Sequence, residues 1–267
     1  MPSKYAKEEF FMNPILKQII STRTCPSPDG TGDVDLLQNT AEPLEGELIR
    51  KSIDIVQAKT TLDIGLGYGT SSMFICDALT QAGTENICHI AIDPHQRDQT
   101  FRGIGLNNLK LAGYESIIRF IEQPSHEALP ALANEGIVLD FAFIDGYHTF
   151  DHTLIDFFYV DLMLREGGIV MLDDTDWPAI RKVCAFILQN RCYEVFDFIR
   201  IPTGTTPKRL WLNRQVSKIA KWKSLQSYFQ PAWSFVGNYL DELTYGSCVA
   251  FRKVANDDRR WDHYVEF

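Results

Sequence analysis

Short apolar runs typical of β-strands alternate with amphipathic runs typical of helices along the first two thirds of the chain. The strand-like runs cover residues 60–64, 87–92, 117–121, 139–144 and 169–172. They are apolar on both faces, which is typical of a parallel sheet with helices packed on each side. The sequence therefore predicts a doubly wound α/β fold, in which ligands bind at the carboxyl ends of the strands.

The alternation stops after Asn190, and the runs 193–199 and 248–253 predict two further strands. We expect a mostly parallel, seven-stranded sheet with an insertion between its last two strands. Residues 208–245 of this insertion interleave aromatic side chains with six lysines and arginines. Three roles remain open for it: a cap over an acceptor pocket, a dimer interface or a contact with an anionic membrane surface.

The domain organisation follows from this pattern. Residues 1–44 show no clear periodicity and contain turn formers, so we expect an irregular N-terminal arm or lid. Residues 45–267 are predicted to form one domain that contains the 208–245 insertion. A chain of 267 residues is long enough for a sizeable core.

Composition excludes several classes of protein. With 45% hydrophobic and 23% charged residues the chain is of ordinary globular type, and its net charge of −9 argues against nucleic-acid binding. The six cysteines form no CxxC pair, which favours reduced thiols over disulfides or a zinc site. No apolar run reaches the roughly 18 residues of a membrane span, and the N-terminus lacks a secretory pattern. We therefore expect a cytoplasmic protein.

A glycine-rich loop follows the first strand of the alternating pattern. Its glycines are Gly65, Gly67 and Gly69, with the spacing G-x-G-x-G. The dinucleotide fingerprint is G-x-G-x-x-G, and Thr70 occupies the place of its third glycine. Asp63 at the start of the loop would suit an ammonium group better than a pyrophosphate. Asp93, at the end of the second strand, is placed to accept hydrogen bonds from ribose hydroxyls.

This combination resembles motif I and the acidic loop of the class I S-adenosylmethionine (SAM) methyltransferases. In that family the glycines border the methionine and ribose moieties of the cofactor, and the loop after the third strand lies beside the adenine. The resemblance implies SAM as cofactor, bound by Asp63, Gly65, Gly67, Gly69, Thr70, Ser71, Asp93, Gln123 and Ser125. A glycine turn that only packs a helix on a strand, or a different nucleotide ligand, remains an alternative. Thr70 and Ser71 are also expected to cap the next helix.

Three carboxylates follow the fourth and fifth predicted strands. Asp145 ends the fourth strand, and Asp173 and Asp174 end the fifth. Because the ends of neighbouring parallel strands meet at one edge of a sheet, these groups should converge and repel one another. A hard divalent cation such as Mg²⁺, with oxygen ligands, would compensate their charge. It would also lower the pKa of a substrate hydroxyl.

The segments FIDGYH (143–148) and REGGIVMLDD (165–174) resemble metal-dependent O-methyltransferases. The D-x-x-H spacing followed by a paired acid is most similar to macrolide-sugar O-methyltransferases and their cephalosporin-hydroxylase-like relatives. This resemblance implies that His148 is the general base beside Asp145. Alternatives remain open: Asp145 could bond the methionine end of SAM, Asp174 could cap a turn, and His148 could be an ordinary loop histidine.

The sequence thus predicts a SAM-dependent, Mg²⁺-dependent O-methyltransferase that acts on a hydroxyl of a small molecule, of glycosyl or polyketide type. The positive charge of residues 208–245 favours an anionic acceptor. We expect a homo-oligomer, no nucleic-acid partner and no membrane contact in the favoured interpretation. Two alternatives are a cephalosporin-hydroxylase-like enzyme of the same fold and a non-catalytic SAM-binding partner protein.

Overall fold

The computed structural model describes residues 12–30, 32–36, 40–200 and 246–267. Its helices and strands, in chain order, are α1 (Pro14–Thr22), β1 (Thr24–Pro26), β2 (Asp33–Asp35), α2 (Pro43–Val56), β3 (Thr60–Ile64), α3 (Thr70–Gln81), β4 (Cys88–Ile92), α4 (Ile104–Leu111), β5 (Ile118–Ile121), α5 (Ser125–Asn134), β6 (Leu139–Ile144), α6 (Phe150–Met163), β7 (Leu164–Leu172), α7 (Pro178–Asn190), β8 (Tyr193–Arg200) and β9 (Gly246–Lys253).

Seven strands form one sheet in the order β5-β4-β3-β6-β7-β9-β8. The first five of these are parallel, whereas β9 runs antiparallel to both β7 and β8. This arrangement confirms the predicted doubly wound, mostly parallel sheet. Strand order reverses between β3 and β6, and such a reversal opens a ligand crevice beyond the carboxyl ends of the strands. The loops after β3 and β6 border that crevice.

The core has two layers, one on each face of the sheet. Along β6, Phe141 belongs to the layer that contains Ile49 of α2, whereas Ala142 belongs to the layer that contains Phe157 of α6. Successive side chains of a strand point to opposite faces, so a central strand that supplies both layers must be apolar throughout. This explains why the strand-like runs of the sequence show no alternation of polar and apolar residues.

The prediction of an irregular N-terminal arm was wrong for Pro14–Thr22, which form a helix. Asn13 caps this helix, because its side chain accepts a hydrogen bond from the backbone N–H of Ile15, and Pro14 occupies the first turn. Leu16 and Ile19 are buried in the layer that covers α2 and α3. Asn followed by Pro is a recognisable helix start, and it was the signal that the sequence analysis missed.

Two other predictions concern residues that the structure does not describe. The insertion 208–245 lies outside the described residues, and so does the first part of the predicted N-terminal arm. Among the helices that the structure describes, none is both long enough and apolar enough to cross a membrane.

Candidate active site

The glycine loop packs directly against the loop that follows β6. Gly65 has φ +102°, and its N–H donates to the carbonyl of Ile92 at 2.9 Å. A Cβ at this position would lie 2.0 Å from the carbonyl oxygen of Asp145. Gly69 has φ +83°, and a Cβ there would lie 2.9 Å from the carbonyl oxygen of Gly105. Side chains at these two positions would push the surrounding loops apart, so the site needs glycine there.

Asp93 anchors the glycine loop from the end of β4. Its Oδ2 accepts from the backbone N–H of Gly67 at 2.8 Å and from Nε2 of Gln96 at 3.0 Å. Its Oδ1 accepts from the backbone N–H of His95 at 2.7 Å. A carboxylate oxygen has two lone pairs, so Oδ1 keeps capacity for one further donor. Ribose binding by this oxygen stays a prediction.

Asp63 is fully buried beneath the loop. Its Oδ2 accepts from the hydroxyls of Ser71 at 2.7 Å and Ser72 at 2.6 Å, whereas its Oδ1 has no partner among the described residues. Burial raises the pKa of Asp63 to about 7, and the two serines offset part of that effect. Behind Ser72 lies the buried His89, whose pKa burial lowers to about 3, so its ring is neutral.

An unpaired, buried carboxylate oxygen is costly unless a donor completes its hydrogen bonding. The Oδ1 atom of Asp63 therefore suits the ammonium group of a cofactor such as SAM, which is the role that the sequence predicts for this residue. This orphaned acceptor and the bare backbone of the glycine loop show that the residues present fit that cofactor.

The hydroxyls of Thr70 and Ser71 do not cap α3, and that prediction was wrong. The N-cap residue is Gly69, and no side chain caps the helix. Ser71 donates to Asp63 instead, and Thr70 Oγ1 accepts from the backbone N–H of Ala41 at 2.9 Å. Thr70 thus ties the start of α2 to the glycine loop. Binding of a cofactor by these two residues stays a prediction, and it would involve their backbone N–H groups.

The predicted adenine contacts lie at the start of α5. Gln123 is exposed, and Ser125, the first residue of the helix, hydrogen-bonds to Asp156 of α6. Asp156 is 1% exposed, and its Oδ1 has no partner in the described part of the chain. Burial raises its pKa to about 6. Asp156 was not predicted, because an acid within a helix gives no sequence signal of its own. The roles of Gln123 and Ser125 stay predictions.

Two acids and a histidine converge beyond β6 and β7. Asp145, His148 and Asp174 each offer one ligand atom, and these atoms lie within 4.8 Å of one another. Nε2 of His148 lies 3.3 Å from Oδ2 of Asp174 and 3.8 Å from Oδ1 of Asp145. Asp174 has φ +52°, a left-handed conformation that is uncommon outside glycine. Two carboxylates and an imidazole form a donor set that can hold a divalent metal ion.

Asp173 does not belong to that close group, so its predicted role as a ligand stays a prediction. It does contribute to the charge of the site. Burial and the neighbouring carboxyl groups raise the pKa values of Asp145 and Asp173, and burial raises that of Asp174, an effect that His148 partly offsets. This crowding of acids is the repulsion that the sequence analysis anticipated.

A fourth carboxyl group, Glu45 of α2, faces the same site and was missed from the sequence. It is 7% exposed, and it interacts electrostatically with Asp145, Asp173 and Asp174. Burial raises its pKa to about 7. One oxygen of Glu45 accepts from the backbone N–H of Glu42 at 2.7 Å, which completes a capping box. Because the N-cap is Glu42 rather than Ser or Thr, the usual capping-box pattern is absent from the sequence, and no sequence signal pointed to Glu45.

Part of the chain that forms this site is similar to a known protein family. Residues 62–175 match the model of a family described as a methyltransferase domain. This span begins in β3, contains the glycine loop, and ends just after Asp174. Residues 62–175 are therefore similar to a methyltransferase domain. The match stops short of α1, α2 and the last two strands.

Two curated proteins that this part of the chain resembles are named as methyltransferases. Tapetum-specific methyltransferase 1 of Arabidopsis thaliana is 32% identical over 128 residues, which is 47% of this chain and 50% of that protein. A caffeoyl-CoA O-methyltransferase of Stellaria longipes is 30% identical over 142 residues, 51% of this chain and 54% of the relative. The chain spans about half the length of the curated relatives that it matches.

The fold is also similar to that of solved methyltransferases. The crystal structure of an O-methyltransferase from Bacillus cereus in complex with S-adenosylhomocysteine (SAH) superposes with a TM-score of 0.55. It covers 68% of this chain and 81% of that one, at 15% sequence identity. At this identity the likeness shows the fold alone.

Proposed function

We propose that the chain is a SAM-dependent O-methyltransferase that acts on a hydroxyl group of a small molecule, with a divalent metal ion held by Asp145 and Asp174. One observation carries this proposal. The glycine loop touches the acid–histidine group, which consists of Asp145, His148 and Asp174. Gly65 packs against the backbone of Asp145 so closely that no side chain fits between them. A cofactor on the glycine loop would therefore lie next to the acid–histidine group.

The donor chemistry fits a divalent cation. Carboxylate oxygens suit Mg²⁺ or Mn²⁺, and Asp145 and Asp174 offer theirs from two neighbouring strands, with Asp173 beside them. When bound, such an ion lowers the pKa of an acceptor hydroxyl. The protein's part is to hold the acceptor in line with the cofactor, and fixed orientation can supply a large share of the rate enhancement.

His148 is the group placed to move the proton. Its Nε2 lies 3.3 Å from Asp174 and 3.8 Å from Asp145, and a neutral imidazole can accept a proton from an acidified hydroxyl. In the proposed step Nε2 takes the hydroxyl proton, the acceptor oxygen forms a bond to the methyl carbon, and the carbon–sulfur bond of SAM breaks. SAH and the methyl ether are the products, so atoms and charge balance.

Turnover with methyl-labelled SAM and a library of small hydroxyl compounds tests this function. Asp145→Asn should lower turnover at least about 100-fold and leave SAH affinity within about threefold. Asp151→Asn is the matched control, because it makes the same change at an exposed residue of α6, and it should keep turnover.

The mass of the product separates methyl transfer from hydroxylation, since the first adds a CH₂ group and the second an oxygen. Full turnover by Asp145→Asn would contradict the metal-dependent mechanism. A product with an added oxygen would contradict methyl transfer itself.

A further inference from the structure

A chain of buried hydrogen bonds runs beneath the glycine loop and ends at Asp63. Thr61 and Asp63 lie two residues apart on β3, so their side chains point to the same face of the sheet. His89 lies beside Thr61 in the parallel pairing of β3 with β4, and Ser72 reaches both His89 and Asp63 from α3. All four side chains are fully buried. The chain therefore joins two strands to the helix that follows the glycine loop.

The direction of these hydrogen bonds follows from the protons that are available. The Ser72 hydroxyl donates its one proton to Oδ2 of Asp63 at 2.6 Å, so its oxygen accepts from Nε2 of His89 at 2.8 Å. Burial lowers the pKa of His89 to about 3, so the ring is neutral and its Nδ1 is an acceptor. The hydroxyl of Thr61 donates to this Nδ1 at 2.9 Å. The partners thus assign the Nε2–H tautomer to His89.

This tautomer matters for Asp63, because a hydroxyl that donates to a carboxylate stabilises its ionised form. Burial raises the pKa of Asp63, and the hydroxyls of Ser72 and Ser71 offset part of this increase. If His89 presented an acceptor to Ser72 instead, the hydroxyl could donate to the ring, and the carboxylate would lose one of its two hydrogen bonds. The N–H of His89 therefore directs the Ser72 proton to Asp63.

We propose that His89 is a positioning residue for cofactor binding, which holds the Ser72 hydroxyl toward Asp63 and so favours a charged carboxylate for the ammonium group of SAM. This inference rests on the proposed function and adds to it a residue that acts through Ser72 rather than on the cofactor itself. Hydrogen bonds between buried groups are strengthened by the low local dielectric, so the direction of each bond affects the next. A histidine that only filled the core would affect all parts of the cofactor alike, whereas this chain acts on the ammonium end.

Calorimetric binding of two ligands to the full chain at pH 7 separates these two roles. SAH carries the ammonium group, whereas 5′-methylthioadenosine has the same adenosine and sulfur but lacks the amino-acid portion. His89→Phe removes both ring nitrogens, so it should weaken SAH binding at least about fivefold and leave 5′-methylthioadenosine binding within about twofold. His89→Gln places an amide NH₂ near the position of Nε2, and it should restore most of the SAH affinity.

A double-mutant cycle checks the route through Ser72. Ser72→Ala removes the hydroxyl on which His89 acts, so it should show the same selective loss of SAH binding, and adding His89→Phe should have no further effect. His263→Phe is the matched control, because it makes the same change at an exposed histidine of the C-terminal segment, and it should leave the binding of both ligands unchanged. If His89→Phe does not fold, Ser72→Ala and His89→Gln still provide the comparison.

Nitrogen-15 NMR of the imidazole rings reports the tautomer directly, because protonated and unprotonated ring nitrogens resonate far apart. We expect the signals that disappear in His89→Gln to show a proton on Nε2 at pH 8, where Asp63 is mostly ionised. A proton on Nδ1, equal losses of both ligands, or unchanged SAH binding by the variants would each overturn the inference. A wild-type chain that does not bind SAH would instead overturn the proposed function, and the tautomer would still test the direction of the hydrogen bonds.

Discussion

At the scale of single residues, the closeness of the two loops makes Gly65 the most sensitive position of the site. Gly65→Ala should destabilise the protein by more than about 3 kcal/mol, because it adds a clash with the Asp145 carbonyl to an unfavourable φ. Gly83→Ala is the control, since Gly83 has φ +65° but nothing within 4 Å of a Cβ, and it should cost roughly 1–2 kcal/mol. Urea unfolding of both variants measures the difference, and equal costs would contradict the described contact.

The buried Asp63 predicts a pH dependence of stability. Its pKa is about 7 in the folded protein, against 3.8 for the free side chain, so the folded state holds this proton more tightly. The stabilising contribution is complete below about pH 4 and is lost as the pH rises through 7. Relative to Asp63→Asn, which cannot titrate, the wild-type free energy of unfolding should fall by up to roughly 1.4 kcal/mol per pH unit between pH 4 and 7.

Denaturant titrations of the cofactor-free protein at several pH values check this second prediction. A wild-type-minus-variant difference that stays constant from pH 4 to 8 would contradict a raised pKa of Asp63.

Several site residues could be predicted from the sequence because they occupy the ends of strands. Asp145 and Asp174 follow recognisable apolar runs, and parallel strands bring such positions together. Glu45 and Asp156 could not be predicted in this way. They lie within helices, and their proximity to the site depends on how α2 and α6 pack on the sheet. This packing cannot be predicted from the local sequence.

At the scale of elements, α1 should behave as part of the core. Leu16 of this helix is fully buried, so Leu16→Ala should destabilise the protein by roughly 2–4 kcal/mol, whereas Leu44→Ala at a position that is 57% exposed should change stability by less than about 0.5 kcal/mol. Thermal or urea unfolding of both variants tests the comparison. An effect of Leu16→Ala no larger than that of Leu44→Ala would show that α1 is not packed on the core.

The helix α1 was not predicted, because its sequence signal is weak. The central strands are continuous apolar runs that can be recognised individually. By contrast, α1 is short for a helix, with nine residues, and it lies among turn formers. Its stability comes from Leu16 and Ile19, which are buried in the core layer beside α3. A short helix of this kind depends on tertiary contacts more than on its own sequence.

At the scale of the whole molecule, the doubly wound, mostly parallel sheet could be predicted better than the environment of the site. The alternation of strands and helices leaves few topologies, and the right-handed crossover of parallel strands reduces them further. The seven-stranded order then places the glycine loop and the acids at one crevice. Only part of the charge of that crevice could be predicted: Asp145, Asp173 and Asp174 follow strands, whereas Glu45 reaches the site from α2.

The metal site beside the glycine loop is tested most directly by a calorimetric titration of SAH into the full chain, followed by Mg²⁺ into the SAH complex, for the wild type, Asp174→Asn and Asp176→Asn. We expect all three chains to bind SAH. Asp174→Asn should lower metal affinity at least about tenfold, and Asp176→Asn should stay within about threefold of wild type. Equal metal affinity in Asp174→Asn would contradict the metal site, and a wild-type chain that does not bind SAH would contradict the assignment of the glycine loop.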